Sequence, residues 1–273
     1  RVGDFGGQKM TVKLDMTNEA YHLEPSLSAS GAKTIALGSP AEFKYGEFKS
    51  SPAFDVGTAT HTLVFEPQHA ESVWCGPETR RGLDWKRKKL EAEEAGALLL
   101  TEADYRLAAD MAEAVRSNRA AAELLSGDLV CEASIFAKDP STGVDMRCRP
   151  DGWRRDIGAL IDLKTTIASD PEGFAKQCAN LGYHIQDMFY RRCMENAGFE
   201  IDRFCFIAVQ KTRPHLVGVY ELDFASLDEG KAAVQYALEK YRKASESNEW
   251  GYDFGDLKTI QIPRYSFKFS QID

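Results

Sequence analysis

The chain reads as an α/β protein, a central mixed sheet flanked by helices, with a mostly helical N-terminal part. Three observations carry this. Up to about Leu125 the segments open on capping residues and their apolar positions recur at helical spacing. From Leu129 the pattern changes to short alternating runs separated by turn residues. Only one pair of these runs is separated by a helical stretch long enough for a parallel crossover, so the sheet is expected to be mixed.

In order, Arg1 to Lys9 is glycine-rich and patternless. Residues 1–15 are expected to be a flexible lead-in or a stretch foreign to the native chain, and 16–273 one domain, since repeats and low-complexity linkers are lacking. Met16 to Pro25 reads as loop. Ser28-Ala29-Ser30 opens a short helix to about Leu37, with either serine as its N-cap. Ser39-Pro40 starts another towards Phe48. Asp55 to Phe65 is helical and stops at Glu66-Pro67, because proline cannot continue it. Leu83 to Ala95 is a strongly charged helix. Thr101-Glu102-Ala103-Asp104 resembles a capping box with aspartate for glutamate and starts a helix to about Ser117. Asn118 caps a further one to Leu125. Val130 to Ala137 and Val144 to Arg149 are strands around the turn Asp139-Pro140-Ser141-Thr142-Gly143. Asp170-Pro171-Glu172 sets proline at a first helical position, and helical spacing persists to Asn196 with a break at Leu181-Gly182. Arg203 to Gln210 and Leu216 to Leu222 form a strand pair around Arg213-Pro214. Phe224 to Asn248 is a long helix, followed by an irregular, aromatic-rich tail.

The stretch that carries chemistry is Arg149 to Thr166. Asp151 follows a proline and opens a turn through Gly152. After the charged loop Arg154-Arg155-Asp156 and Gly158, the apolar run Ala159-Leu160-Ile161 leads to Asp162 and Lys164. In a strand these two project from one face. Two carboxylates can hold a hard divalent cation, and an ammonium can orient or help deprotonate an attacking water, a set suited to phosphodiester hydrolysis. A hairpin with solvated charges is the plainer account of Asp-x-Lys alone.

Composition sets limits on partners. A net charge of −8 speaks against a protein that coats nucleic acid indiscriminately. It leaves room for a local basic track, and Arg80, Arg81, Lys86, Arg87, Lys88 and Lys89 form one; the alternative is a solvated helix face. No apolar stretch approaches the roughly 20 residues that span a bilayer, and no signal peptide is visible. The six cysteines include no Cys-x-x-Cys pair, so buried thiols in a reducing cytoplasm are expected rather than a zinc or iron–sulfur site.

Pro150-Asp151 followed by Asp162-Leu163-Lys164 resembles the motif of the PD-(D/E)xK nuclease superfamily. Gly57-Thr58-Ala59-Thr60-His61-Thr62-Leu63 is similar to the histidine-bearing helix of its RecB-like members. Gln186-Asp187-Met188-Phe189-Tyr190 is similar to their Gln-x-x-x-Tyr helix, and Leu27-Ser28-Ala29-Ser30 to their opening. Taken together, over roughly Thr17 to Leu222, the chain most resembles the RecE-type (exodeoxyribonuclease VIII) exonucleases of phages and prophages.

The resemblance implies a restriction-endonuclease-like core and a Mg²⁺ site, which Mn²⁺ can also fill. Its ligands would be His61, Asp151, Asp162 and the Leu163 carbonyl, and Lys164 would orient the water. Gln186 and Tyr190, four apart on one helix face, cannot neutralise phosphate but can hydrogen-bond it or position Lys164. Glu132 either reaches a second metal or partners an arginine. Ser28 and Ser30 either cap their helix or bind a phosphate of the DNA end, and the basic track would grip the backbone. The implied activity is resection of one strand of linear duplex DNA from its 5′ end, with the overhang passed to a single-strand annealing protein, by a ring-shaped homo-oligomer. The rivals are another RecB-like nuclease, acting as an endonuclease or on single strands, and a DNA-end-binding scaffold without catalysis.

Overall fold

The computed structural model describes residues 11–47, 52–251 and 255–267. The lead-in through Met10, the expected helix end at Phe48 and most of the aromatic residues of the tail lie outside them. In chain order the described residues form β1 (Thr11–Lys13), α1 (Asn18–Leu23), β2 (Leu27–Ser28), α2 (Ala29–Leu37), α3 (Pro40–Tyr45), α4 (Pro52–Phe65), β3 (Val73–Cys75), α5 (Leu83–Ala95), β4 (Leu98–Leu100), α6 (Glu102–Ser117) and α7 (Arg119–Leu124). The second half adds β5 (Leu129–Cys131), β6 (Ser134–Lys138), β7 (Asp145–Cys148), β8 (Gly152–Arg154), β9 (Ala159–Thr166), α8 (Pro171–Leu181), α9 (Tyr183–Asn196), β10 (Arg203–Gln210), β11 (Val217–Tyr220) and α10 (Phe224–Ser247).

Helix starts follow capping chemistry. Thr17, Ser28, Ser39, Thr101, Asn118, Asp170 and Asp223 each accept the backbone N–H three residues on, one of the donors a helix start leaves free. Thr17 thus makes a helix of a stretch expected to be loop. Thr11–Lys13, inside the expected lead-in, pairs antiparallel with β6. Gly182 separates α8 from α9 with φ of 64°, a left-handed turn that glycine adopts without strain.

One sheet has the order β11-β10-β9-β8-β5, another β1-β6-β7-β2, and β3 pairs with β4. The α8–α9 crossover joins β9 to its parallel partner β10. Two further parallel pairs, β2 with β7 and β3 with β4, were not expected; β2, β3 and β4, of two or three residues, are too short to show a period.

β9 and β10 are buried on both faces. Leu160, Phe204, Phe206 and Ala208 pack with α2, α9 and α10, while Ile161, Leu163, Cys205, Ile207 and Val209 pack with α4 and α6. At about 25 cal/mol per Å² of apolar surface, such two-sided burial is the main force holding β9 in place. All six cysteines are free thiols, four of them buried. No helix among the described residues is long and apolar enough to cross a membrane.

Candidate active site

One hairpin in sequence is divided between two sheets. β6 pairs with β7 in one, and β5 with β8 in the other. The chain changes sheets at Glu132-Ala133 on the first strand and at Arg149-Pro150-Asp151 on the second. Gly152 therefore begins a strand, not the expected turn, and the reversal comes at Arg155–Ile157. Across the bend the Glu132 N–H donates to the Asp151 carbonyl at 3.3 Å. Glu132 has φ of 52°, a left-handed conformation that is uncommon outside glycine.

This bend gathers the first group. His61 on α4, Glu132 and Asp151 each offer a ligand atom, and these atoms all lie within 4.8 Å of one another. Asp151 is fixed from two sides. β8 begins at Gly152, opposite Ile161, so β9 has no β8 partner beyond that point. Asp151 Oδ2 accepts the Leu163 N–H left there, at 2.7 Å, and lies 3.1 Å from His61 Nδ1. The Leu163 N–H thus helps to hold Asp151.

The second group lies on β9 and α9. Asp162 and Lys164 share a face, as alternation requires, and Lys164 Nζ is 2.5 Å from Asp162 Oδ2. Gln186 joins them, with Nε2 donating to Asp162 Oδ1 and Oε1 accepting from Lys164 Nζ at 3.1 Å. Tyr190 sits one turn further along α9, but its hydroxyl donates to the Arg149 carbonyl at 3.1 Å. It is buried and braces the chain entering Asp151, so it does not face a phosphate.

The electrostatics follow from burying three acids together. Glu132 is pushed up to about 8, first by burial and then by the Asp151 charge. Burial would raise Asp151 too, but the His61 charge and hydrogen bond, with Lys164 and the Leu163 N–H, hold it below the usual carboxylate range. For His61 burial is outweighed by Asp151, and the imidazole rises to about 9. Asp162 is raised, burial exceeding the pull of Lys164, with Asp151 adding to it. Lys164 is also raised: burial disfavours its charge, but it answers both Asp162 and Asp151. The two shifts are compatible, because one ammonium serves two carboxylates.

The donor set fits a divalent cation. Carboxylate oxygens and an imidazole converge, burial and the neighbouring Asp151 raise Glu132, and Asp162 Oδ2 is buried without an aligned hydrogen bond despite its lysine. Sequence reasoning left Glu132 between metal and arginine. No arginine forms an ion pair with it among the described residues, and Arg149 spends its N–H groups on Ser134, Asn18 and the Met16 and Thr17 carbonyls.

Several of the expected DNA-contact residues make contacts within the protein. Ser28 Oγ caps α2 by accepting from Gly31 N at 3.3 Å and lies 2.9 Å from Ser30 Oγ. Arg80 is tied to Asp55 and Asp104 at 3.0 and 3.2 Å and lies over the Trp85 ring, which makes it a brace between α4 and α6. On α5, Arg87 pairs with Asp84 and Glu91, Lys89 pairs with Glu93, and Lys88 donates to the Cys75 carbonyl. Arg81 and Lys86 are exposed.

Comparison with known proteins bears on the fold. Residues 28–261 match the family described as a PDDEXK-like domain of unknown function (DUF3799). No curated protein matches the sequence. Among crystal structures, a proposed exonuclease from Eubacterium rectale is similar at a TM-score of 0.61 and 17% identity, over 92% of this chain and 96% of that one. A phage related exonuclease from Haemophilus somnus 129PT gives a TM-score of 0.34 and 14% identity, over 84% of this chain and 99% of that one, too distant to support an argument.

Proposed function

Because the chain belongs to the PDDEXK-like DUF3799 family, and so to the PD-(D/E)xK superfamily of nucleases, we propose that it is a Mg²⁺-dependent exodeoxyribonuclease of the RecE type. It resects one strand of linear duplex DNA from the 5′ end and leaves an overhang for a single-strand annealing protein. The same reading carries with it a ring-shaped homo-oligomer around the duplex. The observation that supports it most is the meeting of His61, Glu132 and Asp151 beside the pair Asp162–Lys164, clamped by Gln186. The fold likeness to a proposed exonuclease points the same way.

In this reading His61, Glu132, Asp151 and Asp162, with the Leu163 carbonyl, would hold the cation, which when bound would polarise a phosphoryl oxygen and favour ionisation of the attacking water. Lys164, whose ammonium form Asp162 and Asp151 favour, acts as a donor that orients the water or contacts the phosphate. Its charge offsets the negative charge that develops as water adds to phosphorus and the P–O bond to the leaving oxygen breaks. Gln186 hydrogen-bonds both Asp162 and Lys164 and so holds the pair together beside the first group.

The test is digestion of linear and closed-circular duplexes, labelled at either end, with and without Mg²⁺, beside Asp162→Asn as the inactive control. The expected result is loss of the 5′ label from linear DNA alone, only with metal and only in the wild type. Cutting of the closed circle would make the protein an endonuclease, and binding of ends without cutting a scaffold.

A further inference from the structure

A cation outside every motif lies beside Lys164. Lys33 sits on α2, and its Nζ is 5.6 Å from the centroid of the Tyr183 ring, while Lys164 Nζ is 4.7 Å from the same centroid. The Lys33 stem is packed. It lies against Gly182, where an added Cβ would meet Lys33 Cδ at 3.3 Å. Yet no carboxylate or hydrogen-bond acceptor engages its ammonium among the described residues. Other lysines of the chain, such as Lys13, Lys89 and Lys176, reach a carboxylate. Lys33 is instead half-buried, with the like charge of Lys164 on one side and Asp162 already shared.

We propose that Lys33 is a substrate contact, whose ammonium takes a non-bridging oxygen of a backbone phosphate in the strand being cut. The proposal rests on the nuclease reading, since that reading supplies the anion. Three features suit the role. The ammonium has open hydrogen-bonding capacity, its stem packs against Gly182, and it shares an aromatic wall with the lysine assigned to the reacting phosphate. Burial, then Lys164, lowers it to about 8 against the pull of Asp162, so an arriving anion relieves an existing cost. The alternative is a lysine that serves only to cover Tyr183.

Lys33→Gln and Lys33→Met keep the stem and remove the charge, and Lys33→Arg keeps the charge. All three are measured in the full chain on linear duplex DNA. In Ca²⁺, to suppress cleavage, the neutral variants should bind about tenfold more weakly, as expected for loss of a charge-assisted hydrogen bond. Their plot of log affinity against log salt should be shallower by about 0.9, one phosphate's share. In Mg²⁺ KM should rise while kcat at saturating DNA stays within about twofold, and Lys33→Arg should recover most of the loss. A second measurement needs no variant: acetylation of Lys33 in the wild type, followed by mass spectrometry, should slow when duplex is bound. Neutral variants with wild-type KM and salt slope, or equal acetylation with and without DNA, would overturn the proposal and leave the nuclease reading standing. A wild type that neither binds nor cuts duplex would remove both.

Discussion

Glu132→Gln separates stability from function with opposite signs. In the metal-free protein the Glu132 carboxyl is raised from 4.5 to about 8, by burial first and Asp151 second. The folded state therefore binds a proton that the unfolded state has released, and stability falls as pH rises between those values. At about 1.4 kcal/mol per pH unit, the whole shift would weigh about 5 kcal/mol against folding above pH 8. The repulsion belongs to the Glu132–Asp151 pair, and the site is partly open to solvent. We therefore expect the substitution to recover about half, roughly 2 kcal/mol. For a chain of this size that is about 4–8 °C in Tm.

In EDTA, Glu132→Gln should thus melt higher than the wild type at pH 8.5, and the two should converge towards pH 5. With Mn²⁺ the order should shift, because a ligand stabilises in proportion to its affinity for the folded state. The wild type should gain more than the variant, which has lost an anionic oxygen. Thermal melts across pH, with and without Mn²⁺, read both effects. A variant that melts at or below the wild type in EDTA at pH 8.5 would refute the burial argument. Equal gains with Mn²⁺ would remove Glu132 from the ligand set.

Mn²⁺ titrated calorimetrically at pH 7.5, in buffers of different ionisation enthalpy, should displace protons, since His61 near 9 and Glu132 near 8 must lose them to ligate. His61→Ala should bind more weakly and release about one proton fewer; unchanged release returns His61 to a packing role. Arg80→Gln should lower stability by about 1 kcal/mol through loss of the Asp55, Asp104 and Trp85 contacts. It should leave the salt dependence of DNA binding alone, and a flattened slope would make Arg80 a phosphate contact. Asp139 is held near 2: burial is outweighed by hydrogen bonds from Arg192, Thr142 and Ser141. Its stabilisation, about 2 kcal/mol, is present above pH 3.8 and lost as pH falls towards 2. Asp139→Asn should therefore melt lower at pH 7 and approach the wild type in acid, and a constant gap across that window would refute this.

What the sequence revealed of this site divides by the range of the interaction. Asp162 and Lys164 share a face because a strand repeats every two residues, and Gln186 lies on a helix whose spacing survives any packing. The caps at Thr101, Asn118 and Asp170 were legible for the same reason, being three-residue contacts. Glu132 was legible only as one of two alternatives, metal or arginine, because its placement depends on a left-handed residue at which a strand leaves one sheet for another, and no local pattern announces that. Tyr190 shares a helix face with Gln186, yet a backbone carbonyl that only the fold brings near claims its hydroxyl. The basic run on α5 drew attention as charge, while Arg87 and Lys89 pair with acids three and four residues away on the same helix. Lys33 reaches Tyr183 only when α2 packs on α9, a contact without any signature in sequence.

The hairpin shared between two sheets has a consequence for when this chain becomes active. Its bend can form locally, since Glu132 and Asp151 lie on neighbouring strands. His61 must come from far upstream, and Gln186 from the helix beyond β9. The strand bearing Asp162 and Lys164 is held on its other edge by β10, which is made later still. Contacts of such separation are slow, because loop closure precedes their reward. A chain emerging from the ribosome would thus carry two of the acids long before it could align a phosphate between them. Competence to cut is among the last properties that folding confers, and no partial product of synthesis up to Asp151 would hold the Lys164–Gln186 clamp.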